Sequence, residues 1–492
     1  MRTCDVAVIG AGFGGLAAAL ELTRSGADVV LLEQLRYPGG CASTFTRGGA
    51  RYESGATLFS GFGEGQLFRR WMDELDLDVE VRTMDPLVEL RTPSFTLGVP
   101  PEREPFLTRL CALAPRHERS IRAFFVEQRK VADALWALFD EPTLLPPFDA
   151  RTFFRHVGRA PRYLPLLRVI GLPLETVVRR HGLADCQPLR TFLDAVCQIT
   201  VQCGVAEVEA PFALAAMDYY FRGTGHVHGG IGQLAWALAR AAEAHGAELR
   251  FTDQVRTLAR TDGGWHLKTR KGELHARQVV ANLTPHALRR IRGESTARLD
   301  RLATNVEGGW GAAMIYLRLA EGALPDRPEA HHLELVADEH AAFTEGNHLF
   351  CSISAVAEKR GPNGERTVTI STHVPSAAFR GDDVASRITK VQERMAHTLD
   401  RLAPELTAAT AHSMTGSPRT FERFTGRDFG YVGGIPRTKG LHHYRHLTNP
   451  PIWPGLWMVG DSVFPGQSTL ATALGGVKVA GQLAGETRVA SA

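Results

Sequence analysis

The chain has 492 residues, 44% of them hydrophobic, and a formal net charge of only +3. This length and composition can bury a large core and predict about two or three domains. The small net charge, without a basic stripe interleaved with aromatic residues, argues against nucleic-acid binding. Seven cysteines without CxxC spacing predict reduced, intracellular thiols, not a disulfide framework.

A glycine-rich turn follows the first predicted strand, residues 4–9, and leads into an alanine-rich helix. Gly10 permits a sharp turn, Gly12 admits a pyrophosphate against the backbone, and Gly15 lets the helix pack closely on the sheet. The free amides at the helix N-terminus would stabilise the phosphates. The predicted phosphate-binding residues are Gly10, Gly12, Phe13, Gly14 and Gly15.

The second predicted strand, residues 28–33, ends in an acid. The carboxylate of Glu33 can accept hydrogen bonds from ribose hydroxyls and would repel a 2′-phosphate, which argues against NADP. Gln34 is expected beside it. The glycine-containing runs that follow favour FAD over NAD, because they let the backbone lie along an extended cofactor and beneath a flat ring. Their predicted cofactor-binding residues are Gly40, Cys41, Ala42, Gly55, Ala56 and Thr57.

Residues 151–180 contain seven arginines and one acid, Glu175, among aromatic and aliphatic residues. This composition predicts an interfacial element that binds a membrane surface, or else a solvated basic face over an internal core. Pro161, Pro165 and Pro173 predict short helical pieces. No apolar run reaches the roughly 18 residues that span a bilayer. The first strand begins close to Met1, so we expect no signal peptide and a cytoplasmic, peripherally membrane-associated protein.

The second half of the chain begins with a mid-chain glycine pair, Gly229 and Gly230, which introduces a predicted helix over 231–245. Strands are then predicted over the segments 248–253, 255–260, 265–269 and 279–282.

The C-terminal segment 455–469 carries the other half of the dinucleotide site. Asp461 can bind the ribityl hydroxyls of a flavin. Ser468 and Thr469 are good N-caps for a helix whose amides would stabilise negative charge on the reduced ring. The alternative is a tight loop and cap without a ligand. The predicted residues here are Gly460, Asp461, Gly466, Ser468 and Thr469.

Together, these motifs resemble the phytoene desaturase superfamily of FAD-containing carotenoid desaturases, carotenoid isomerases and retinol saturases, and the similarity runs from end to end. Segments 39–45, 189–194, 416–421 and 426–427 are most similar to the carotenoid C-3′,4′ desaturases. The approach to the mid-chain glycine pair, often Tyr-Pro-x in the superfamily, is here His226-Val227-His228.

The resemblance implies an α/β fold with a discontinuous Rossmann-like FAD-binding domain, residues 1–85, 225–290 and 418–492. An inserted α+β domain, residues 86–224 and 291–417, would bind the substrate and face the membrane. Val255 would place its backbone near the adenine. The implied activity is desaturation of a carotenoid or other polyene lipid by hydride transfer to the flavin.

Little acid/base machinery is required for such a reaction, because positioning and exclusion of water supply much of the catalysis. No catalytic dyad is apparent, and His226 and His228 are candidates for proton transfer or ordinary loop histidines. No metal site is expected, since the histidines of 442–446 lack acidic or cysteine partners. Residues 61–65 lack the strand and acid of a second nucleotide fold, so electrons would leave to oxygen, a quinone or another carrier.

Other activities remain open at this stage. Within the same superfamily they are a redox-neutral carotenoid isomerase, which needs reduced flavin, and a saturase. Outside it they are an amine or porphyrinogen oxidase with the same FAD fold, and a flavin-free lipid-binding escort protein. The intact Glu33, Gly460 and Asp461 argue against the escort.

Overall fold

The computed structural model describes residues 1–55, 57–146 and 150–490. The strands are β1 (Arg2–Ile9), β2 (Val29–Leu32), β3 (Thr44–Arg47), β4 (Ala50–Glu53), β5 (Val81–Arg82), β6 (Val88–Arg91), β7 (Thr96–Val99), β8 (His226–Val227), β9 (Glu248–Arg250), β10 (Val255–Thr261), β11 (Gly264–Thr269), β12 (Glu273–Ala281), β13 (Trp310–Leu319), β14 (His331–Val336), β15 (His348–Ile353), β16 (Arg366–Pro375), β17 (Thr410–Gly416), β18 (Tyr431–Val432) and β19 (Leu456–Met458). The helices are α1 (Phe13–Arg24), α2 (Leu67–Leu75), α3 (Arg103–Leu113), α4 (Glu118–Asp140), α5 (Ala150–Leu167), α6 (Leu174–Arg180), α7 (Gln187–Thr200), α8 (Ala210–Ala216), α9 (Gly232–Ala244), α10 (Pro285–Arg292), α11 (Ala297–Glu307), α12 (Val384–Leu402), α13 (Pro404–Ala408), α14 (Pro418–Thr425) and α15 (Thr469–Ala490).

The first sheet has the strand order β10-β11-β12-β1-β2-β9, with β19 also paired to β12. Strands β12, β1, β2 and β9 run parallel. Apolar residues of α1, α9 and α15 cover one face, and residues of α10 and α11 cover the other. Burial on both faces explains the continuous apolar runs of β1 and β2. The carboxyl ends of β1, β2 and β12 meet at one edge, where nucleotides bind in sheets of this kind.

The second sheet has the strand order β17-β13-β16-β15-β14-β6-β7, with β18 also paired to β13. Its pairs are antiparallel except for β14 with β6. Helix α12 packs its apolar residues on one face of the sheet. A separate apolar core joins β6, β7 and β14 to helices α3, α4, α6, α7 and α8. These helices form a layer, which we call the helical layer, and α4 and α8 also pack against the core of the nucleotide sheet.

The structure confirms the predicted fold class, with a Rossmann-like sheet and a second, separate sheet. The predicted strands of the first sheet correspond to β1, β2 and β9–β12, and the predicted helix at 231–245 corresponds to α9. Strand β18 pairs within the second sheet, although it lies in the segment 418–492 that we expected to belong to the FAD-binding domain.

One local prediction is wrong. Helix α5 is a single helix of 18 residues that contains both Pro161 and Pro165, where we expected short pieces. Each proline removes one backbone donor and can kink a helix without ending it. Pro173 behaves as expected, because it stands immediately before α6 as its N-cap residue.

Candidate active site

A cavity of about 520 Å³ is lined by residues of both sheets and of the helical layer. One part, which we call the cofactor end, lies at the carboxyl ends of β1, β2 and β12 and at the N-termini of α1 and α15. The other part, the apolar end, is formed by α4, α7, α8, β15 and β16. Its apolar lining includes Trp136, Phe139, Ile199, Val201, Phe212 and Phe350.

The glycine turn at the cofactor end leaves no room for side chains. Gly10 has a φ of +96°, and a Cβ there would lie 2.7 Å from the backbone oxygen of Asn282. A Cβ on Gly15 would overlap the carbonyl oxygen of Gly10, so α1 packs directly on the turn. Gly12 is the N-cap residue of α1 and offers no side-chain cap. The first amides of α1 therefore remain available to an anion.

Glu33 follows β2 and is buried beside this turn. One carboxylate oxygen accepts a hydrogen bond from the Ala11 amide at 2.8 Å, and the other accepts one from the Leu35 amide at 2.8 Å. Burial raises the pKa of Glu33, and these backbone hydrogen bonds oppose that rise. Each carboxylate oxygen keeps a second acceptor position. The side chain is thus held firmly while still lining the cavity.

Asn282 is a cavity residue that the sequence analysis missed as part of the site. It follows β12, and its Nδ2 donates to the Gly10 oxygen at 3.3 Å. A Cβ on Gly460 would lie 2.8 Å from its Oδ1. The amide therefore joins the N-terminal and C-terminal halves of the nucleotide site. Its position at the end of a predicted strand was the available signal, but a single asparagine there matches no motif.

Asp461 lines the cavity and forms an ion pair that sequence reasoning did not predict. Nη2 of Arg427 lies 2.6 Å from Oδ2 of Asp461, and both side chains are only 17% exposed. Nε of Arg427 donates to the Tyr431 oxygen at 2.5 Å. Burial opposes the charge of Arg427, but the attraction of Asp461 leaves its pKa raised. The carboxylate of Asp461 is therefore fixed in place by a buried cation.

The C-terminal turn closes the cofactor end. Gly466 has a φ of +64°, and a Cβ there would lie 2.9 Å from the Val463 oxygen. Ser468 precedes α15, and its Oγ accepts a hydrogen bond from the Ala471 amide at 2.9 Å. This is the N-cap geometry expected from the sequence. Together with Thr469, these residues place a second helix N-terminus at the cavity.

Polar side chains stand among the apolar residues of the apolar end. His373 lines it, and burial lowers the pKa of this histidine to about 4, so the ring is neutral at pH 7. Burial also raises the pKa of Tyr219, whose hydroxyl donates to the Leu58 oxygen. The other polar residues that line this end are Thr200, Gln202, Ser371, Thr372 and Arg437. A site that is largely apolar, with a few fixed polar groups, suits an extended hydrophobic ligand.

Most of the predicted cofactor residues line this cavity. They are Gly10, Gly12, Phe13, Gly14, Glu33, Gln34, Gly40, Cys41, Ala42, Gly55, Thr57, Val255, Gly460, Asp461, Gly466, Ser468 and Thr469. Gly15 instead lies behind the turn, against Gly10. Ala56 lies outside the described residues.

The two histidines considered for proton transfer lie away from the cavity lining. His226 is buried with its Nε2 2.6 Å from Oε1 of Glu358. The backbone amide of His228 donates to the Glu80 oxygen at 2.9 Å, beside the small β5–β8 sheet. Pairing of β8 with β5 turns this segment away from the site. Neither His226 nor His228 is among the residues that line the cavity.

In the described parts of the chain, no group of three or more His, Cys, Asp or Glu residues is arranged to hold a metal ion. The histidine-rich segment 442–446 forms a short 3₁₀ turn in which Nε2 of His442 lies 3.2 Å from the Thr438 hydroxyl. None of the helices in residues 1–55, 57–146 and 150–490 is long and apolar enough to cross a bilayer.

Fold and cavity together define a flavin-type oxidoreductase with a nucleotide sheet and a separate substrate sheet. The chain belongs to the family described as "Flavin containing amine oxidoreductase", which it matches over residues 13–483. Because enzymes of this family contain flavin, membership implies that this chain binds FAD. An oxidoreductase from Methanosarcina mazei has a similar structure, with a TM-score of 0.66, 18% identity, and coverage of 97% of this chain and 99% of that one.

Two relatives extend along nearly the whole sequence. A chloroplastic prolycopene isomerase from Arabidopsis thaliana is 27% identical over 98% of this chain and 83% of the relative. A hydroxyneurosporene desaturase from Cereibacter sphaeroides is 26% identical over 96% of this chain and 95% of the relative. The resemblance to the superfamily of carotenoid desaturases and isomerases is thereby confirmed.

The residues at the cofactor end fit FAD. Gly10, Gly12 and Gly14 form a cradle that a Cβ would fill, and the N-terminus of α1 offers unpaired amides to a diphosphate. Glu33 offers acceptor oxygens of the kind that ribose hydroxyls need. Asp461 and the N-terminus of α15, also at the cofactor end, offer an acceptor and a partial positive charge.

Proposed function

We propose that this protein is an FAD-dependent oxidoreductase that acts on a carotenoid polyene and introduces a carbon–carbon double bond. The observation that carries the proposal is the single cavity in which a nucleotide-binding end adjoins an apolar end. Desaturation at the C-3′,4′ position is the particular reaction that the quoted sequence motifs favour.

In this proposal Glu33 binds the adenosine ribose, Val255 lies near the adenine, and the amides of α1 bind the diphosphate. Asp461, held by Arg427, binds the ribityl hydroxyls, and the N-terminus of α15 stabilises negative charge on the ring. Bound FAD would supply an isoalloxazine ring as the hydride acceptor, and oxygen or a quinone would serve as the final electron acceptor.

The protein's own contribution at the apolar end is positioning and exclusion of water. Phe212, Phe350 and Trp136 can hold a rod-like polyene in a fixed orientation. His373 lines the cavity and is neutral at pH 7; the lowered pKa makes it a weak base, which suffices for the acidic proton next to a polyene cation. It replaces His226 and His228 in this role.

Isomerisation is a second candidate, favoured by the prolycopene isomerase that matches 98% of this chain. It would use the same cavity and residues but would leave the substrate at its original oxidation state. Retinol-type saturation is the reverse of desaturation and would use the same residues.

One anaerobic experiment separates these candidates. The FAD-loaded protein is mixed with an acyclic carotenoid in liposomes, first with oxidised and then with reduced flavin. A desaturase bleaches the flavin absorbance and gives a product that has lost two hydrogens. An isomerase acts only with reduced flavin and gives a product of unchanged mass and altered geometry. A colourless protein that binds no flavin would support an escort protein and would contradict both enzymatic proposals.

We also propose that α5 docks the protein on an anionic membrane, from which the carotenoid enters. Phe154 and Leu167 on this helix are 71% and 70% exposed, and Phe153, Val157 and Leu164 are also exposed. Arg155 and Arg159 pair with Glu141, so Arg162 and Arg168, both exposed, are better placed to meet lipid phosphates. Helix α5 packs beside α4, which carries the cavity residues Trp136 and Phe139.

Replacing Phe153, Phe154 and Leu167 by glutamate should abolish co-sedimentation with anionic liposomes and preserve bound FAD. Val126→Glu changes an exposed apolar residue on α4 and provides the matched control. Binding that is unchanged in the triple variant would show that α5 is not the docking element.

A further inference from the structure

Arg437 is a buried cation on the cavity wall, between Phe212 of the apolar end and the C-terminal turn at Pro465. The residue is only 8% exposed and lines the cavity. Its backbone is fixed on both sides, because its amide donates to the Val201 oxygen at 3.1 Å and its oxygen accepts from the Glu209 amide at 3.0 Å. The guanidinium lies 5.0 Å from the centroid of the Phe212 ring. The side chain is therefore held at a defined place against an aromatic wall.

Arg437 forms no ion pair with any described residue. Its Nη2 donates to the Pro465 oxygen at 3.1 Å, which uses one of five guanidinium donors. Among the neighbouring carboxylates, that of Glu209 has the largest effect on the pKa of Arg437, which it raises. Oε1 of Glu209 accepts from the Gly171 amide at 2.9 Å and from the Tyr444 hydroxyl at 2.6 Å, and its buried Oε2 has no hydrogen-bond partner in the described part of the chain. Glu209 therefore attracts Arg437 through space without forming an ion pair with it. Burial lowers the pKa of Arg437 to about 10, so the group remains charged at pH 7.

Other buried arginines are compensated, which makes this one unusual. Arg360 pairs with Glu53 and Glu358, and Arg366 donates to three backbone oxygens. Isolating a charge from water without a partner is costly, and a ligand that supplies the missing anion would recover that cost.

The cavity lining suggests how much negative charge the ligand carries. Three arginines line the cavity in the described part of the chain: Arg290, Arg427 and Arg437. Arg290 pairs with Asp428, and Arg427 pairs with Asp461. Among these three, Arg437 alone has no ion-pair partner in the described residues, and one such cation matches a monoanion better than a phosphate dianion. A carboxylate fits the planar fork of a guanidinium with two parallel hydrogen bonds.

We propose that Arg437 recognises a carboxylate at the end of a ligand whose body is apolar, so that the ligand is an isoprenoid or polyene acid. The inference that the ligand is a polyene rests on the proposed function. The inference that it carries a carboxylate rests on Arg437 alone. Val201 and Phe212, which flank Arg437, would contact the part of the chain next to the acid. The residue would thereby select one end of the substrate and set its direction in the cavity.

The test uses the FAD-loaded protein and equilibrium dialysis with a C20 polyene acid and its methyl ester. These two probes share one body and differ in charge. The acid should bind at least about tenfold more tightly than the ester, as expected for a charged hydrogen-bonded pair. Arg437→Gln should lower the affinity for the acid about tenfold or more and change the affinity for the ester by less than about twofold.

Two further variants serve as controls. Arg437→Lys keeps the charge but loses the planar fork, so its preference for the acid should be smaller than the parent's and larger than that of Arg437→Gln. Arg290→Gln removes a cavity arginine that already has a partner, and it should leave the acid-to-ester ratio unchanged. Melting temperature and flavin content check that each variant folds.

Palmitate and its methyl ester separate this inference from the proposed function. If neither polyene binds but palmitate binds through Arg437, the carboxylate site stands and the polyene proposal fails. Equal affinity of the parent for acid and ester, with both pairs of probes, would overturn the inference. An equal loss of affinity for the acid and for the ester in Arg437→Gln would also overturn the inference.

Discussion

The cofactor end and the apolar end of the cavity are built in different ways. At the cofactor end the backbone itself forms the wall: α1 packs on Gly10, and a Cβ on Gly14 would lie 3.1 Å from the Gly460 amide. At the apolar end the wall consists of side chains from segments far apart in sequence, such as Trp136, Val201 and Phe350. The first arrangement tolerates almost no added atom, whereas the second can change by substitution of apolar residues.

This difference explains how one fold can serve several substrates. Relatives named for isomerisation and for desaturation match nearly the whole of this chain at 27% and 26% identity. Where glycines bring two backbones together, few other residues fit at those positions. An apolar wall can be reshaped by substitution without loss of the fold. We therefore expect substitutions at the cofactor end to have the larger effects on stability and flavin binding.

The largest effect is expected at Gly15. Gly15→Ala places a Cβ into the carbonyl oxygen of Gly10, so α1 must move away from the sheet. We expect a loss of about 4 kcal/mol or more in the free energy of unfolding, measured by denaturant titration. Gly481→Ala is the matched control, because Gly481 also lies in a helix but faces open space. Comparable stability of the two variants would contradict close packing at Gly15.

A buried carboxyl outside the cavity lining should make the stability of the protein depend on pH. Glu334 on β14 is buried, and the Tyr220 hydroxyl donates to its Oε1 at 2.8 Å. Burial raises the pKa of Glu334 to about 7. In the unfolded chain this carboxyl ionises near pH 4.3. Between these values the folded protein holds one more proton than the unfolded chain, so stability falls as the pH rises.

Glu334→Gln removes this ionisation and keeps an acceptor for Tyr220. The stability of the variant relative to the parent should improve by about 3 kcal/mol between pH 4 and pH 8. Denaturant titrations of both proteins at each pH measure this difference. A difference that stays constant with pH would show that the pKa of Glu334 is not raised in the folded protein.

The contrast between the two ends also explains what could be predicted from sequence. Gly10, Glu33 and Asp461 stand in local motifs whose spacing reflects a strand, a turn and a helix, and all three line the cavity. Asn282 and Arg427 also belong to the cofactor end, but each depends on a partner far away in sequence. Local patterns do not encode such pairs.

Local sequence patterns are even less informative about the apolar end. His373 and Arg437 reach the cavity only because β16 and the segment after β18 are brought beside α7 and α8. The sequence instead drew attention to His226 and His228, which adjoin a glycine pair but pack against Glu358 and the β5–β8 sheet. For α5, the prolines predicted a broken helix, and the loss of single backbone donors was too small to end it.

A smaller effect is expected for the proposed ribose acid. Glu33→Ala should weaken FAD binding by about 2 kcal/mol, from lost hydrogen bonds to a charged acceptor. The free protein should also lose stability, because the Ala11 and Leu35 amides lose their acceptor. Flavin affinity by fluorescence titration and apoprotein stability are therefore measured separately. Asp194→Asn is the control: Asp194 accepts from the Val205 amide outside the cavity lining, so its loss should lower stability alone.

If Glu33→Ala keeps the parent's flavin affinity, the ribose lies elsewhere and Glu33 serves only to fix the turn. An affinity loss in Asp194→Asn as large as that in Glu33→Ala would instead attribute the effect to general destabilisation.

The smallest effect is expected at the N-cap of α15. Ser468→Ala removes the acceptor for the Ala471 amide and should cost about 1 kcal/mol of stability. Thr296 caps α11 in the same way, accepting from the Leu299 amide at 3.1 Å, but does not line the cavity. Thr296→Ala should therefore cost a similar amount of stability and leave the flavin unaffected. Only Ser468→Ala should also lower the flavin reduction potential, because a frayed first turn presents its amides less firmly to the reduced ring. Potentiometric titration of the two variants decides the matter: equal potentials would mean that the N-terminus of α15 supports the fold without acting on the flavin, and that the cofactor end depends on α1 alone for its helix dipole.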